Sequence, residues 1–206
     1  MMQNKKTILG ITGGVGAGKS TVLSYLEKWY GARLILCDDV ARILQEPGCA
    51  CYEPMRVMFG DAFLFPDGTF DRKKIAGIVF SDGHMLRKLN AIVHPAVKKW
   101  VQNEILRIRE NDPGQLIVIE AALLLEEHYD EICDEVWYIY TEEKVRRYRL
   151  QKDRGYSDEK ITHMIQNQKP DAYFREHCHF TVDNSSDNME NTYEQIDKGL
   201  NTHGFL

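Results

Sequence analysis

Five short apolar runs punctuate the chain: Thr7–Thr12, Ala32–Cys37, Gln115–Glu120, Glu135–Thr141 and Phe180–Asn184. Each is nearly continuous in hydrophobicity, the pattern of strands buried on both faces in a parallel sheet. Between them the period lengthens to that of helices. After the first run, Val22, Leu26, Trp29 and Tyr30 recur at i, i+4, i+7 and i+8. Another helix is predicted from Val40-Ala41-Arg42, with Asp38 or Asp39 available as its cap, and it stops at Glu46-Pro47-Gly48. Residues 49–112 hold no clear buried strand. They read as helices over 52–59, 72–80 and 84–109, with a turn at Pro66-Asp67-Gly68. A gap of that length far exceeds an ordinary βα connection, so 49–112 is expected to be a helical insertion within a single domain spanning 1–206. Lys144–Arg154 and a Ser157-capped stretch reaching Gln168-Lys169 read as further helices, as does the tail. The predicted fold is α/β: a five-stranded parallel sheet in a three-layer arrangement, carrying a helical insertion and an arginine-bearing lid over 144–178.

The stretch joining the first strand to its helix is Gly13-Gly14-Val15-Gly16-Ala17-Gly18-Lys19-Ser20. It fits G-x-x-x-x-G-K-[ST], the phosphate-binding loop, in the strand–loop–helix setting that the pattern requires. Glycines let the backbone turn its N–H groups inward, and the helix N-terminus adds partial positive charge. A polyphosphate fits such a nest. Lys19 is placed to reach the β- and γ-phosphates, and the Ser20 hydroxyl to hold Mg²⁺.

Other candidate groups fall at strand ends, the edge where parallel α/β sheets bind ligands. Asp38-Asp39 follows the second strand, and one of the pair is expected to take a hydroxyl proton or hold a metal-bound water. Glu120 closes the third, where it either supports Mg²⁺ or serves as a cap or ion-pair partner. The segment K-V-R-R-Y-R-L-Q-K-D-R, residues 144–154, offers Arg149 and Arg154 to neutralise charge on a transferring phosphoryl group. Within the insertion, Arg72 is available to pair with an anionic substrate. His94, standing before Pro95, reads as closing a turn or as a polar group for the acceptor.

Composition narrows the choice. With 43% hydrophobic and 28% charged residues in 206, the chain has an ordinary globular balance. A net charge of −5 gives no general affinity for nucleic acid. No apolar stretch is long enough for a membrane span, and Lys5-Lys6 leads straight into a strand rather than into a signal peptide. Five cysteines without a C-x-x-C spacing suit reduced thiols in the cytoplasm. His177-Cys178-His179 is adjacent rather than spaced, which disfavours a metal site.

A phosphate loop alone does not choose a reaction. A GTPase should show N-K-x-D after a strand, whereas Gln168-Lys169-Pro170-Asp171 ends a helix. A motor ATPase would close its third strand with Asp. A loop, a carboxylate on the second strand, a substrate-sized insertion and an arginine lid, in that order, describe a small-molecule kinase. The chain further resembles the dephospho-coenzyme A kinase family over nearly its whole length. The residues that carry this resemblance are Gly10 to Thr21, Asp38 with Ala41-Arg42, Glu46-Pro47-Gly48, Asp71-Arg72, Leu89-Asn90 with His94-Pro95, Leu123 to Glu126, the Arg149–Arg154 segment, Gln168 and Val182-Asp183-Asn184.

That resemblance implies ATP- and Mg²⁺-dependent phosphorylation of the ribose 3′-hydroxyl of dephospho-coenzyme A. It implies Asp38, Lys19 and Arg149 as catalytic groups. Gly14, Val15, Gly16, Ala17, Gly18, Lys19, Ser20, Thr21, Arg154 and Asn184 would bind nucleotide, and Arg72, Asn90 and His94 the acceptor. The family usually has Asp-x-Asp where this chain has Leu36-Cys37-Asp38. Asp39 or Glu120 is available to assist. Another P-loop kinase, acting on a nucleoside or sugar, is the alternative. Oligomeric state is not legible in the sequence.

Overall fold

The computed structural model describes residues 5–206. Five strands, β1 (Ile8–Thr12), β2 (Arg33–Leu36), β3 (Ile117–Glu120), β4 (Glu135–Tyr140) and β5 (Phe180–Asp183), form one parallel sheet in the order β2-β3-β1-β4-β5. Strand β1 lies at the centre. Its register sets Ile11 opposite Glu120 of β3 and Thr12 opposite Tyr138 of β4. The chain leaves β1 for β2 and β3 on one side and later fills the other side with β4 and β5. Connections therefore diverge at the carboxyl end of β1, where such sheets leave a crevice.

The apolar runs are strands because both faces are covered: Leu9, Ile11, Ile117, Val118, Ile119, Val136, Trp137 and Ile139 are all fully buried. Each aliphatic side chain buried in this way contributes about 1.5–3 kcal/mol. Helix α1 (Lys19–Tyr30) buries Val22 and Leu26 of the predicted stripe together with Leu23, whereas Trp29 is exposed and Tyr30 only half-buried; the helix ends at Gly31 in the left-handed conformation.

The chain divides into two compact units, 1–35 with 108–206 and 36–107. The first contains the sheet apart from Leu36, α1 and four later helices: α6 (Glu143–Arg154), α7 (Asp158–Gln166), α8 (Asp171–His177) and α9 (Met189–Thr202). The second holds α2 (Cys37–Leu44), α3 (Tyr52–Phe59), α4 (Arg72–Ser81) and most of α5 (Gly83–Asn111). It takes in α2, which is bonded to later residues of the same unit: the Cys51 amide donates to Leu44 O, and Arg72 donates to Arg42 O. Around Pro66-Asp67-Gly68 the Phe65 amide donates to Thr69 O, and a short antiparallel bridge joins Leu64 to Phe70.

Two helix limits depart from the sequence pattern. Helix α2 starts at Cys37, so Asp38 and Asp39 occupy its first turn and neither caps it. Negative charge is favoured there by the helix dipole as well as at the cap. Helix α5 runs through His94-Pro95 without a turn. Val93, Val97, Val101 and Ile105 form a buried stripe across that point. Proline gives up the bond to the carbonyl four residues back, that of Ala91, which is an exposed residue.

Helix α9 lies close against the sheet at Gly199, where a Cβ would come within 2.6 Å of the Trp137 ring. Trp137 is fully buried and cannot yield cheaply. Gly199→Ala is expected to destabilise the protein by about 1–3 kcal/mol, the usual cost of overpacking. Thermal denaturation would show this as a lower Tm, and an unchanged Tm would contradict the close packing.

Candidate active site

The site is built at the carboxyl end of β1. Gly18 precedes α1 with φ +81°, and Gly16 has φ +77°, conformations that side-chain-bearing residues rarely adopt. Space forbids a side chain at Gly18 too, since a Cβ there would meet the Asn184 amide nitrogen at 2.2 Å.

The loop is pinned from behind through one carbonyl. Ala17 O accepts from the Thr141 hydroxyl at 2.9 Å and from Asn184 Nδ2 at 2.8 Å. Asn184 Oδ1 in turn accepts from the Thr192 hydroxyl at 3.0 Å, and all three side chains are buried. Asn184, expected on the nucleotide, is thus engaged inside the protein at both ends of its side-chain amide, where it supports the loop. Asn184→Ala is expected to strand two buried polar groups and cost about 1–3 kcal/mol. Chemical denaturation would measure it; a loss below the error of the midpoint would contradict this role.

Lys19 folds back over the loop. Its Nζ donates to Gly13 O at 2.8 Å and lies 3.4 Å from Glu120 Oε1. Both side chains are largely shielded, at 17% and 15% exposure, so the pair is less screened by water than a surface ion pair. Glu120 reaches this position because β3 pairs directly with β1. Ser20 and Thr21 lie in the first turn of α1, and Ser20 is exposed. From these two residues a groove of about 480 Å³ runs along α1, lined also by Ser24, Tyr25, Lys28, Trp29 and Tyr193.

Above the loop stands α6. Leu150 packs against Gly16, where a Cβ would lie 3.0 Å from its Cγ. Arg149 Nη1 is buried with no hydrogen-bond partner, and it would lie 3.4 Å from a Cβ on Gly18. A guanidinium nitrogen in that state is costly unless an acceptor arrives. Arg154, the last residue of α6, is exposed, and among the described residues it makes no hydrogen bond or ion pair. Arg147 braces α6 to α7 through Asp158 at 2.9 Å and Thr162 at 3.0 Å. Ser157 caps α7, accepting from the Lys160 amide, and the helix ends at Gln166, short of the predicted Gln168-Lys169.

Arg146 is the residue that sequence reasoning passed over. Its Nε donates to Val15 O at 2.9 Å and its Nη2 to Gln168 Oε1 at 2.6 Å. The signal was present: it sits three residues before Arg149, on the same helical face.

The second unit carries the remaining candidates. Asp39 pairs with Arg42 at 2.9 Å, while Asp38 is exposed and, among the described residues, makes no hydrogen bond or ion pair. Asp38 is therefore the carboxylate of the two left open to a substrate. Arg72 donates to Arg42 O and to Glu46 Oε1, both at 3.0 Å, and its neighbour Asp71 caps α4 by accepting from the Lys74 amide. Asn90 and His94 lie one turn apart on α5, both half-buried.

Mg²⁺ suits what the loop offers. It binds oxygen, keeps several waters and needs only one or two protein ligands beside substrate phosphates. The Ser20 hydroxyl at the start of α1 and the Glu120 carboxylate close to Lys19 are of that kind.

The chain matches the family model described as dephospho-CoA kinase over residues 7–190. It is 32% identical over 188 residues to the dephospho-CoA kinase of Shouchella clausii, covering 91% of this chain and 94% of that one. To the dephospho-CoA kinase of Moorella thermoacetica it is 41% identical over 143 residues, 69% of this chain and 67% of that one. Among solved structures, the Thermus thermophilus protein TT1252 superposes with a TM-score of 0.82 at 27% identity, covering 97% of this chain and 98% of that one. With a phosphate loop, a lysine at its centre and an arginine helix above it, the chain belongs to the dephospho-CoA kinase family.

Proposed function

We propose that this chain transfers the γ-phosphoryl group of ATP to the ribose 3′-hydroxyl of dephospho-coenzyme A, giving coenzyme A and ADP, with Asp38 as the proton acceptor. The observation that carries the reading is the cationic loop itself, in a chain of this family: Lys19 lies across it and a buried, unpartnered Arg149 nitrogen stands beside Gly18.

Phosphoryl transfer asks the protein for position and charge rather than for covalent chemistry. The N–H groups from Gly14 to Thr21 hold the phosphates. Lys19 and Arg149 stabilise negative charge as it spreads over the transferring group. Asp38 orients the acceptor hydroxyl and takes its proton. Ser20, with Glu120 acting through water, would hold Mg²⁺, which when bound neutralises phosphate charge. Arg72, Asn90 and His94 supply an anion-pairing group and two hydrogen-bonding groups for the acceptor. The lid over 144–178, through α6, excludes water that would otherwise hydrolyse ATP. Such an enzyme works in the cytoplasm on small molecules, and its net negative charge gives it no call on nucleic acid. Among the described residues no helix is long and apolar enough to cross a membrane.

The test is ADP release with ATP and Mg²⁺ across dephospho-coenzyme A, adenosine, nucleoside monophosphates and no acceptor. Release that depends on the first compound is expected. Equal or greater release with adenosine or a monophosphate would replace the reading with that of another small-molecule kinase.

A further inference from the structure

Arg146 stands out among the cations of the lid by its surroundings. Its neighbour Arg147 is paired with two carboxylates, Glu143 at 2.8 Å and Asp158 at 2.9 Å. Arg146 has none within ion-pair distance among the described residues. Its hydrogen-bond partners, Val15 O and Gln168 Oε1, are neutral. The guanidinium touches the loop directly, since a Cβ on Gly14 would lie 2.6 Å from its central carbon. Burial works against the charge and lowers its pKa, and the Arg147 charge adds to that, with Tyr138 and Glu143 opposing it. A half-buried cation without a counter-ion costs stability. It is worth keeping where an anion arrives during the working cycle, and the loop it touches is shaped for polyphosphate.

We infer that Arg146 is a positioning residue for the phosphate loop: it clips the Val15 carbonyl to the lid through Gln168, and the phosphates of the bound nucleotide compensate its charge. This rests on the reading of the loop as the ATP site. The same role gives Gln168 a purpose, since it lies beyond the end of α7 and reaches back to the loop through this arginine.

Two variants separate this role from ordinary packing. Arg146→Met keeps the length and the apolar stem but removes the charge; Arg146→Lys keeps the charge but loses the fork. Each is compared with the wild type by thermal shift, with and without saturating ADP, and by steady-state KM values for ATP and for dephospho-coenzyme A. For R146M the Tm without nucleotide should be equal to or above that of the wild type. The ADP-induced rise should shrink by at least half. The KM for ATP should increase about 10- to 100-fold, the range for losing a charge-assisted contact, and the KM for the acceptor by less than about threefold. R146K should recover at least half of the lost ADP-induced rise.

An R146M protein with a lower Tm and an unchanged ATP KM would overturn the inference and leave Arg146 as packing. R146K binding no better than R146M would overturn the charge compensation, and this comparison stands even if R146M folds poorly. A wild type showing no rise with ADP would refute the nucleotide site itself, a result distinct from either.

Discussion

Asp38→Asn is expected to lower kcat by about two to four orders of magnitude, the range for removing a positioned proton acceptor. Asparagine keeps the size and one oxygen of the side chain but cannot take a proton at neutral pH. The residue is exposed and makes no hydrogen bond or ion pair among the described residues, so its loss should not disturb α2. The KM for ATP should change by less than about threefold, because the phosphate loop belongs to a different part of the chain. Asp39→Asn is the control. Its carboxylate is committed to Arg42, a surface pair of small worth, and its kcat should stay within about twofold of the wild type. Stopped-assay kinetics on both variants decide the matter. A D38N enzyme with wild-type turnover, or a larger loss in D39N than in D38N, would remove Asp38 from the proton-acceptor role.

Lys19→Ala should damage ATP use itself. The ammonium group is the cation lying over the loop, 2.8 Å from Gly13 O and 3.4 Å from Glu120. Taking it away removes charge stabilisation from the transferring group and leaves the Glu120 carboxylate facing an incoming triphosphate. Removal of one such preorganised donor typically costs about 10²–10³ in rate, and the exposed negative charge should add to that by weakening ATP binding. We expect kcat/KM for ATP to fall by about three orders of magnitude or more, while the protein still unfolds cooperatively. Titration calorimetry with ADP and the kinetic assay measure the two parts separately. Retained full activity would contradict the placement of phosphates at this loop.

These two residues differ in how openly the sequence declared them. Lys19 lies in a motif whose every position has a mechanical reason, and the apolar run before it forms β1 as expected. Strands of this kind are easy to see because burial on both faces demands unbroken hydrophobicity. Asp38 was harder. Two adjacent acids at a helix start satisfy capping and dipole preferences equally well, and only the Asp39–Arg42 pair separates them.

Interior features followed tertiary packing rather than local rules. The helix read over 84–109 crosses Pro95 unbroken, held by the buried stripe from Val93 to Ile105, so His94 closes no turn there. In the arginine segment, the sequence reading offers Arg149 and Arg154, while Arg146, one turn before Arg149, also reaches the loop through Val15 O. Asn184 matches a family position, and its side-chain amide completes a hydrogen-bond chain from Thr192 to Ala17. Such chains join residues far apart in sequence, and no local pattern reveals them.

The decisive point is where the phosphate goes. Incubation with ATP, Mg²⁺ and dephospho-coenzyme A, with ³¹P NMR and mass spectrometry of the purified product, reads that position directly. One added phosphate on the ribose 3′-oxygen, giving a product indistinguishable from coenzyme A, is the predicted result. A phosphate at the 2′-oxygen, or ATP consumed to free phosphate with dephospho-coenzyme A returned unchanged, would contradict it.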